Sequence, residues 1–176
     1  GFTCTGTFQL WLNCAQNFAK ENVGWANPSI MQTYYSAGTM LALVVTALLT
    51  KKIKDVRFIL VYPVICLATL VVVLIGKSEP LMIAGAFLIG WAGAGGLLQI
   101  ATSVCNMLFP KIKGTVTALV MIASSLCNYT ILTAASKMQP SQVMVMNIVL
   151  TTVGVLLGLF VNLRYTKMVE QAKEDN

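Results

Sequence analysis

Histidine is absent from this chain of 176 residues, and charged side chains make up only 10% of it. The side chain that most often moves protons near neutral pH is therefore missing. The six acidic residues (Glu21, Asp55, Glu79, Glu170, Glu174 and Asp175) all lie between or beyond the long apolar segments. No histidine, buried acid or metal-ligand cluster is left to support acid–base or metal-assisted chemistry, so no enzyme is expected. No catalytic residue, metal or cofactor is assigned. The five cysteines (Cys4, Cys14, Cys66, Cys105 and Cys127) contain no C-x-x-C pair and sit inside apolar segments, where they read as small buried hydrophobes. An initiator methionine and a signal-peptide arrangement are also lacking, since Gly1 has no basic residues ahead of its apolar run. The first apolar segment starts part-way along, and the chain is expected to be a fragment.

What is present is apolar, with 57% of the residues hydrophobic. Soluble domains carry charge on about a quarter of their residues, so most of this chain is expected to lie in lipid. The net charge of +6 does not indicate a nucleic-acid partner, because the basic residues cluster in loops between greasy segments.

A helix needs about 20 apolar residues to cross the hydrocarbon core. Six segments are long enough: Gly1–Ala19, Ser29–Thr50, Phe58–Gly76, Pro80–Phe109, Gly114–Ser136 and Ser141–Leu163. Together they define an all-α membrane protein, a six-helix transmembrane bundle over residues 1–164 with a cytoplasmic tail over 165–176. Breaks between them carry the expected punctuation, at Pro80, at Pro110 with Gly114, and at Pro140. In WANPS (25–29), Asn27 reads as a helix cap with Pro28 at the first helical position.

Lys51, Lys52, Lys54 and Arg57 follow the second segment, Lys111 and Lys113 the fourth, and Arg164, Lys167 and Lys173 the sixth. Only Lys20, Lys77 and Lys137 lie in the alternate loops. The positive-inside rule then predicts cytoplasmic N- and C-termini in a plasma (inner) membrane protein.

Polar residues are distributed unequally. Thr5, Gln9, Asn13 and Gln16 repeat at helical spacing in the first segment, where Asn17 adds a further amide. The second segment carries Gln32, Ser36 and Thr39 beside Tyr35; the fourth runs Trp91, Gly95, Gln99, Thr102, Asn106; the fifth runs Thr117, Met121, Ser124, Asn128, with Ser125 and Tyr129 adjacent. The third is almost wholly apolar, and the sixth has Asn147, two threonines and a Gly154-x-x-x-Gly158 pair. Two striped segments followed by a lipid-suited one occur twice, as expected of two three-helix repeats. Unpaired amides are costly in hydrocarbon, so the stripes must face each other as glue or line a wet cavity. Four aligned stripes favour the cavity, whereas an isolated residue such as Asn147 or Thr69 favours glue.

The stretch GGLLQIATSVCNMLFPKIKGTVTALVMIASSLCNYTI (95–131), with its Gly-rich helix, Phe109-Pro110 break, short basic loop and small-residue helix, resembles the tenth-to-eleventh helix junction of major facilitator superfamily transporters. The loop LLTKKIKDVRFIL (48–60) is similar in place and charge to the superfamily's short cytoplasmic loop, without its leading Gly and Asp-Arg pair. The whole chain is similar to the C-terminal six-helix half of such a transporter. The resemblance implies that the first and fourth helices line and gate a central cavity, with the second and fifth flanking it and the third and sixth outside. It also implies a second six-helix bundle as partner, either the N-terminal half of the same protein or another chain.

Gln9, Asn13, Gln16, Asn17, Gln32, Tyr35, Trp91, Gln99, Asn106 and Asn128 are accordingly the candidate substrate-binding residues. Their neutral donors and acceptors suit a small polar organic solute, carried by secondary active or facilitative transport with alternating access. The alternatives are a non-transporting membrane subunit or scaffold, and a self-dimerising half-transporter or channel.

Overall fold

The computed structural model describes residues 1–49 and 55–174, the side chains of 55, 172 and 173 excepted. The described residues form six helices and no strand. Helix α1 is Phe2–Phe18, continued by a wide turn over Ala19–Val23; α2 is Ile30–Leu49, α3 Asp55–Gly76, α4 Glu79–Leu108, α5 Lys113–Ala135 and α6 Pro140–Glu174. Lys51, Lys52 and Lys54, within residues 50–54 of the short basic loop read from the sequence, lie outside the described residues.

Local chemistry accounts for most boundaries. Ser78 is extended ahead of α4, and Glu79 and Pro80 occupy its first turn, where an acid complements the exposed N–H groups and a missing N–H costs nothing. Helix α4 stops at Pro110, which opens a short turn over Pro110–Ile112 before α5. One expectation needs correcting. Helix α2 starts at Ile30, and Asn27 accepts a 2.7 Å hydrogen bond from the Ser29 hydroxyl, within a turn at Pro28–Ser29 that precedes the helix. Helix α6 runs beyond Leu163 to Glu174, because no glycine or proline interrupts its last turns. Tyr165, Met168 and Val169 in this extension pack against the core.

Four helical stretches are long and apolar enough to cross a membrane: Val56–Gly76, Glu79–Leu108, Pro110–Ala135 and Pro140–Gln171. Helices α1 and α2 fall outside this group for a physical reason. Helix α1 is diluted by Gln9, Asn13, Gln16 and Asn17. Most of the first half of α2, from Gln32 to Thr39, is hydroxyl, amide or glycine. The polar residues that mark the candidate site are the ones that dilute these two helices.

Helix α4 packs against α2, α3 and α1, while α1 also contacts α5 and α6, and α3 lies along α6. Trp11, Ala15 and Phe18 carry α1 into a core shared with Cys66, Leu70 and Val73 of α3 and Met82, Ala86 and Ile89 of α4. Lipid tails are as apolar as these side chains, so close packing rather than water exclusion holds the helices together. Helix α2 touches the bundle through one stripe, with Met31, Tyr35, Gly38, Ala42 and Thr46 buried.

Glycine makes that contact possible. A Cβ on Gly90 would collide with the Tyr35 carbonyl oxygen, and one on Gly38 with the Phe87 carbonyl oxygen, so the two backbones meet glycine to backbone. Across the same glycine-rich stretch, Gly90–Leu97, the helix widens to the looser i→i+5 pattern. The Gly154–Gly158 pair also packs within the chain: Gly154 faces Thr3 of α1 and Gly158 the backbone of Ile59 in α3.

Buried polar groups join helices. Asn147 is fully enclosed and donates from Nδ2 to the Thr7 carbonyl oxygen at 3.1 Å, tying α6 to α1. Thr46 and Tyr62 link α2 to α3 at 2.8 Å, and the Thr39 hydroxyl donates to the Gly90 carbonyl at 3.1 Å. Asn147 thus acts as glue. Thr69 instead bonds back to Ile65 within its own helix.

Candidate solute-binding face

Helix α1 is two-sided. Trp11, Ala15 and Phe18 point inward, and the opposite surface carries Gln9 and Gln16, both half-buried, and Asn13 and Asn17, both exposed. The sequence stripe is corrected at its first member, for Thr5 is buried, with its hydroxyl oxygen enclosed and unpartnered. The same correction applies on α5, where Ser124 is buried and its hydroxyl donates to Val120 and Gly1 carbonyls. The start of α1 is pressed against α5, so its accessible polar face begins one turn later, at Gln9.

Within that face Asn13 Nδ2 donates to the Gln9 backbone carbonyl at 2.8 Å and to Gln9 Oε1 at 3.2 Å. Gln16 shares a small crevice with Gln32 and Tyr35 of α2, walled by Trp11, Leu12 and Met31. Its volume, about 10 Å³, is that of roughly one water molecule. Gln32 is exposed beside it, whereas the Tyr35 ring is buried against the bundle. The structure therefore brings Gln16, Gln32 and Tyr35 together across α1 and α2.

The remaining candidates are spread over α4 and α5. Trp91 is half-buried, with Phe87 edge-on to its ring at a centroid distance of 5.9 Å. Gln99 is exposed, and Ser103 lies on the same accessible strip one turn later. Ser103 was not singled out from the sequence, although its i+4 spacing from Gln99 carries the signal. Asn106 donates to Thr117 Oγ1 at 3.1 Å and accepts from it at 3.2 Å, joining α4 to α5. It is partly committed to structure. Asn128 Oδ1 is enclosed without a hydrogen-bond partner, an arrangement that ordinarily costs about 1–3 kcal/mol.

No charged side chain belongs to this set. An apolar crevice of about 290 Å³ lies elsewhere, between the start of α1, α3, the end of α4 and α6, and none of the ten candidates lines it. At that end of the bundle Asn162 Nδ2 donates to the Val56 carbonyl at 3.2 Å, placing Arg57 and Arg164 on the same side.

No family model and no solved structure matches the chain. Curated proteins do. The chain is 32% identical over 178 residues to the uncharacterized MFS-type transporter YfkL of Bacillus subtilis, a match covering 96% of this chain and 44% of that protein. It is 30% identical over 174 residues to the inner membrane transport protein YdiM of Escherichia coli, covering 95% of this chain and 43% of the relative. A second Escherichia coli inner membrane transport protein, YdiN, is 29% identical over 134 residues, covering 74% of this chain and 32% of that protein. The chain spans less than half the length of each of these relatives. With four helices fit to cross a membrane and transporter relatives along nearly its whole length, the chain belongs to the major facilitator superfamily, as a stretch about half the length of a transporter.

Proposed function

We propose that this chain is the C-terminal half of an inner-membrane transporter that moves a small polar organic solute by alternating access. All six helices cross the membrane in this reading, as two three-helix repeats with both termini in the cytoplasm. The observation that carries it is the face of α1, where Gln9, Asn13, Gln16 and Asn17 stand opposite the packed residues Trp11, Ala15 and Phe18. Amides facing hydrocarbon would lack partners. Amides facing a water-filled path between two bundles would have both water and solute to bond.

The second bundle supplies the opposite wall, and the solute binds between the halves near the membrane midplane. Helices α2 and α5 keep much of their surface open, including Gln32 and Ser36 on one and Ser125 and Tyr129 on the other. That surface is available to the partner half. The ten candidate residues offer neutral donors and acceptors, so binding is by hydrogen bonds and by the flat face of Trp91 rather than by ion pairing.

Single cysteines placed along α1 in a protein freed of its native cysteines test the reading. Cysteines at 9, 13 and 16 are expected to react with a membrane-impermeant maleimide and to be protected by transported solute, while those at 11 and 15 stay unreactive. Equal silence at all five positions would make α1 a packed helix and remove the cavity.

A further inference from the structure

The hydrogen bonds between Gln9 and Asn13 fix which way their amides point. The Gln9 backbone carbonyl can only accept, so the Asn13 atom 2.8 Å away must be the amide nitrogen. The Gln9 side-chain atom 3.2 Å from that same nitrogen must then be the carbonyl oxygen Oε1. Both Asn13 N–H groups are thereby used within the helix. What remains free is an acceptor, Asn13 Oδ1, and a two-proton donor, Gln9 Nε2, on the two amides that this bond joins. Neither amide can flip without losing one of these bonds.

We propose that Gln9 and Asn13 form a polarised pair that recognises a neutral solute group carrying an acceptor and a donor side by side, such as a primary carboxamide or a vicinal diol, and rejects carboxylate and ammonium groups at that point. This rests on the reading of the α1 face as a solute wall. A carboxamide sets its carbonyl against Gln9 Nε2 and its N–H against Asn13 Oδ1. Adjacent hydroxyls do the same, since each can donate or accept. A carboxylate bonds Gln9 but drives its second oxygen against the Asn13 oxygen. An ammonium bonds Asn13 and opposes its protons to those of Gln9. No charged candidate residue compensates either ion, and a group that leaves polar atoms mismatched is discriminated against strongly.

The test uses the intact protein in nanodiscs with 15N-labelled glutamine side chains, titrated separately with acetamide, ethane-1,2-diol, acetate and methylammonium. The Gln9 side-chain signal is expected to shift saturably with acetamide and the diol, and at least five-fold more weakly with acetate and methylammonium. Asn13→Asp, which keeps the size but removes the donor to Gln9, is expected to lower acetamide affinity at least five-fold and to raise that for methylammonium. Acetate or methylammonium binding as tightly as acetamide overturns the polarity, and leaves the solute wall standing if a cysteine at 13 still reacts with the impermeant maleimide. No response to any of the four also overturns the pair as a recognition element. An unreactive cysteine at 13 overturns the wall itself.

Discussion

Asn147→Leu is the perturbation whose cost can be worked from single contacts. Asn147 is fully buried in α6 and makes one direct bond to another helix, from Nδ2 to the Thr7 carbonyl at 3.1 Å. Leucine has the same branched outline with bulkier methyls, so no cavity forms and any overpacking adds to the cost. Thr7 lies within α1, and its carbonyl keeps the ladder bond that helix geometry provides, so removing Asn147 orphans nothing there. The polar part of the loss reduces to one interhelical hydrogen bond, about 0.6 kcal/mol on average and up to about 1.7 in membrane proteins.

The neighbouring hydroxyl contact behaves differently. Thr7 Oγ1 and Thr151 Oγ1 are 2.9 Å apart, but Thr7 Oγ1 is also placed to donate to the Thr3 carbonyl at 3.0 Å and Thr151 Oγ1 to the Asn147 carbonyl at 2.8 Å. Each hydroxyl has one proton. The link between them forms only if one of them gives up its own backbone acceptor, so its net worth is small. Thr7→Val and Thr151→Val are each expected to cost less than Asn147→Leu, below about 0.6 kcal/mol. Asn147 and Thr7 are in contact and share Thr151 as a partner, so Thr7→Val and Asn147→Leu are expected to couple by about 0.5 kcal/mol or more rather than to add. Reversible unfolding in mixed detergent and SDS micelles reads all three variants. The assignment fails if Thr7→Val costs as much as Asn147→Leu, or if Asn147→Leu stabilises the protein.

Gly90→Val places a branched side chain against the Tyr35 carbonyl where α2 meets α4, and overpacking of this kind is expected to cost about 1–3 kcal/mol. The same unfolding assay checks it, and an undiminished stability would mean that the two helices are not in backbone contact. Asn13→Ala and Gln99→Ala act on exposed positions, so unfolding is expected to change by no more than about 0.5 kcal/mol. Uptake by proteoliposomes should nevertheless weaken in both, and wild-type uptake in the pair would remove them from the site.

The stripes were legible in the sequence because amides in an apolar run have few places to go. Four-residue spacing put Gln9 and Asn13 on one face, and the structure adds the bond between them. Which end of a stripe is buried was not legible. Thr5 lies near the start of α1, which meets α5 where Gly1 contacts Val120 and Ser124, residues more than a hundred positions away. Asn147 shows the same limit from the other side. Read alone it is an amide with no stripe, and its partner is a backbone carbonyl, which no side-chain pattern reveals.

The start of α2 was misread for a local reason. Asn27 and Pro28 are good helix openers, but the Asn27 side chain is engaged by Ser29, and the chain makes one tight turn before the helix begins. The close contact of α2 with α4 depends instead on glycines at 38 and 90 that each face the other helix's backbone, at Phe87 and Tyr35, a match between two segments that neither segment announces.

On the proposed reading, helices α1 and α2 carry an opposing demand that accounts for their polar stretches, Gln9 to Asn17 in one and Gln32 to Thr39 in the other. A helix wholly suited to lipid has nothing to offer a polar solute. A helix that offers amides along one face must be held by its other face, because lipid does not reward its exposure. Helix α1 meets that requirement with Trp11, Ala15 and Phe18 in the core and with the Asn147 bond near its start. Helix α2 meets it with a single stripe and three backbone-to-glycine contacts, at Gly38, Gly90 and Gly95. The two anchors differ in strength, since α1 is gripped by three other helices and α2 chiefly by one. On the proposed reading of this face as a solute wall, α2 is the part of it freer to shift against α1. The crevice of Gln16, Gln32 and Tyr35, which the two helices share, is where that movement would change the geometry first. A cysteine pair at 16 and 32, cross-linked across the crevice, is expected to stop uptake while a single cysteine at either position does not. Full uptake by the cross-linked protein would show that α1 and α2 move as one.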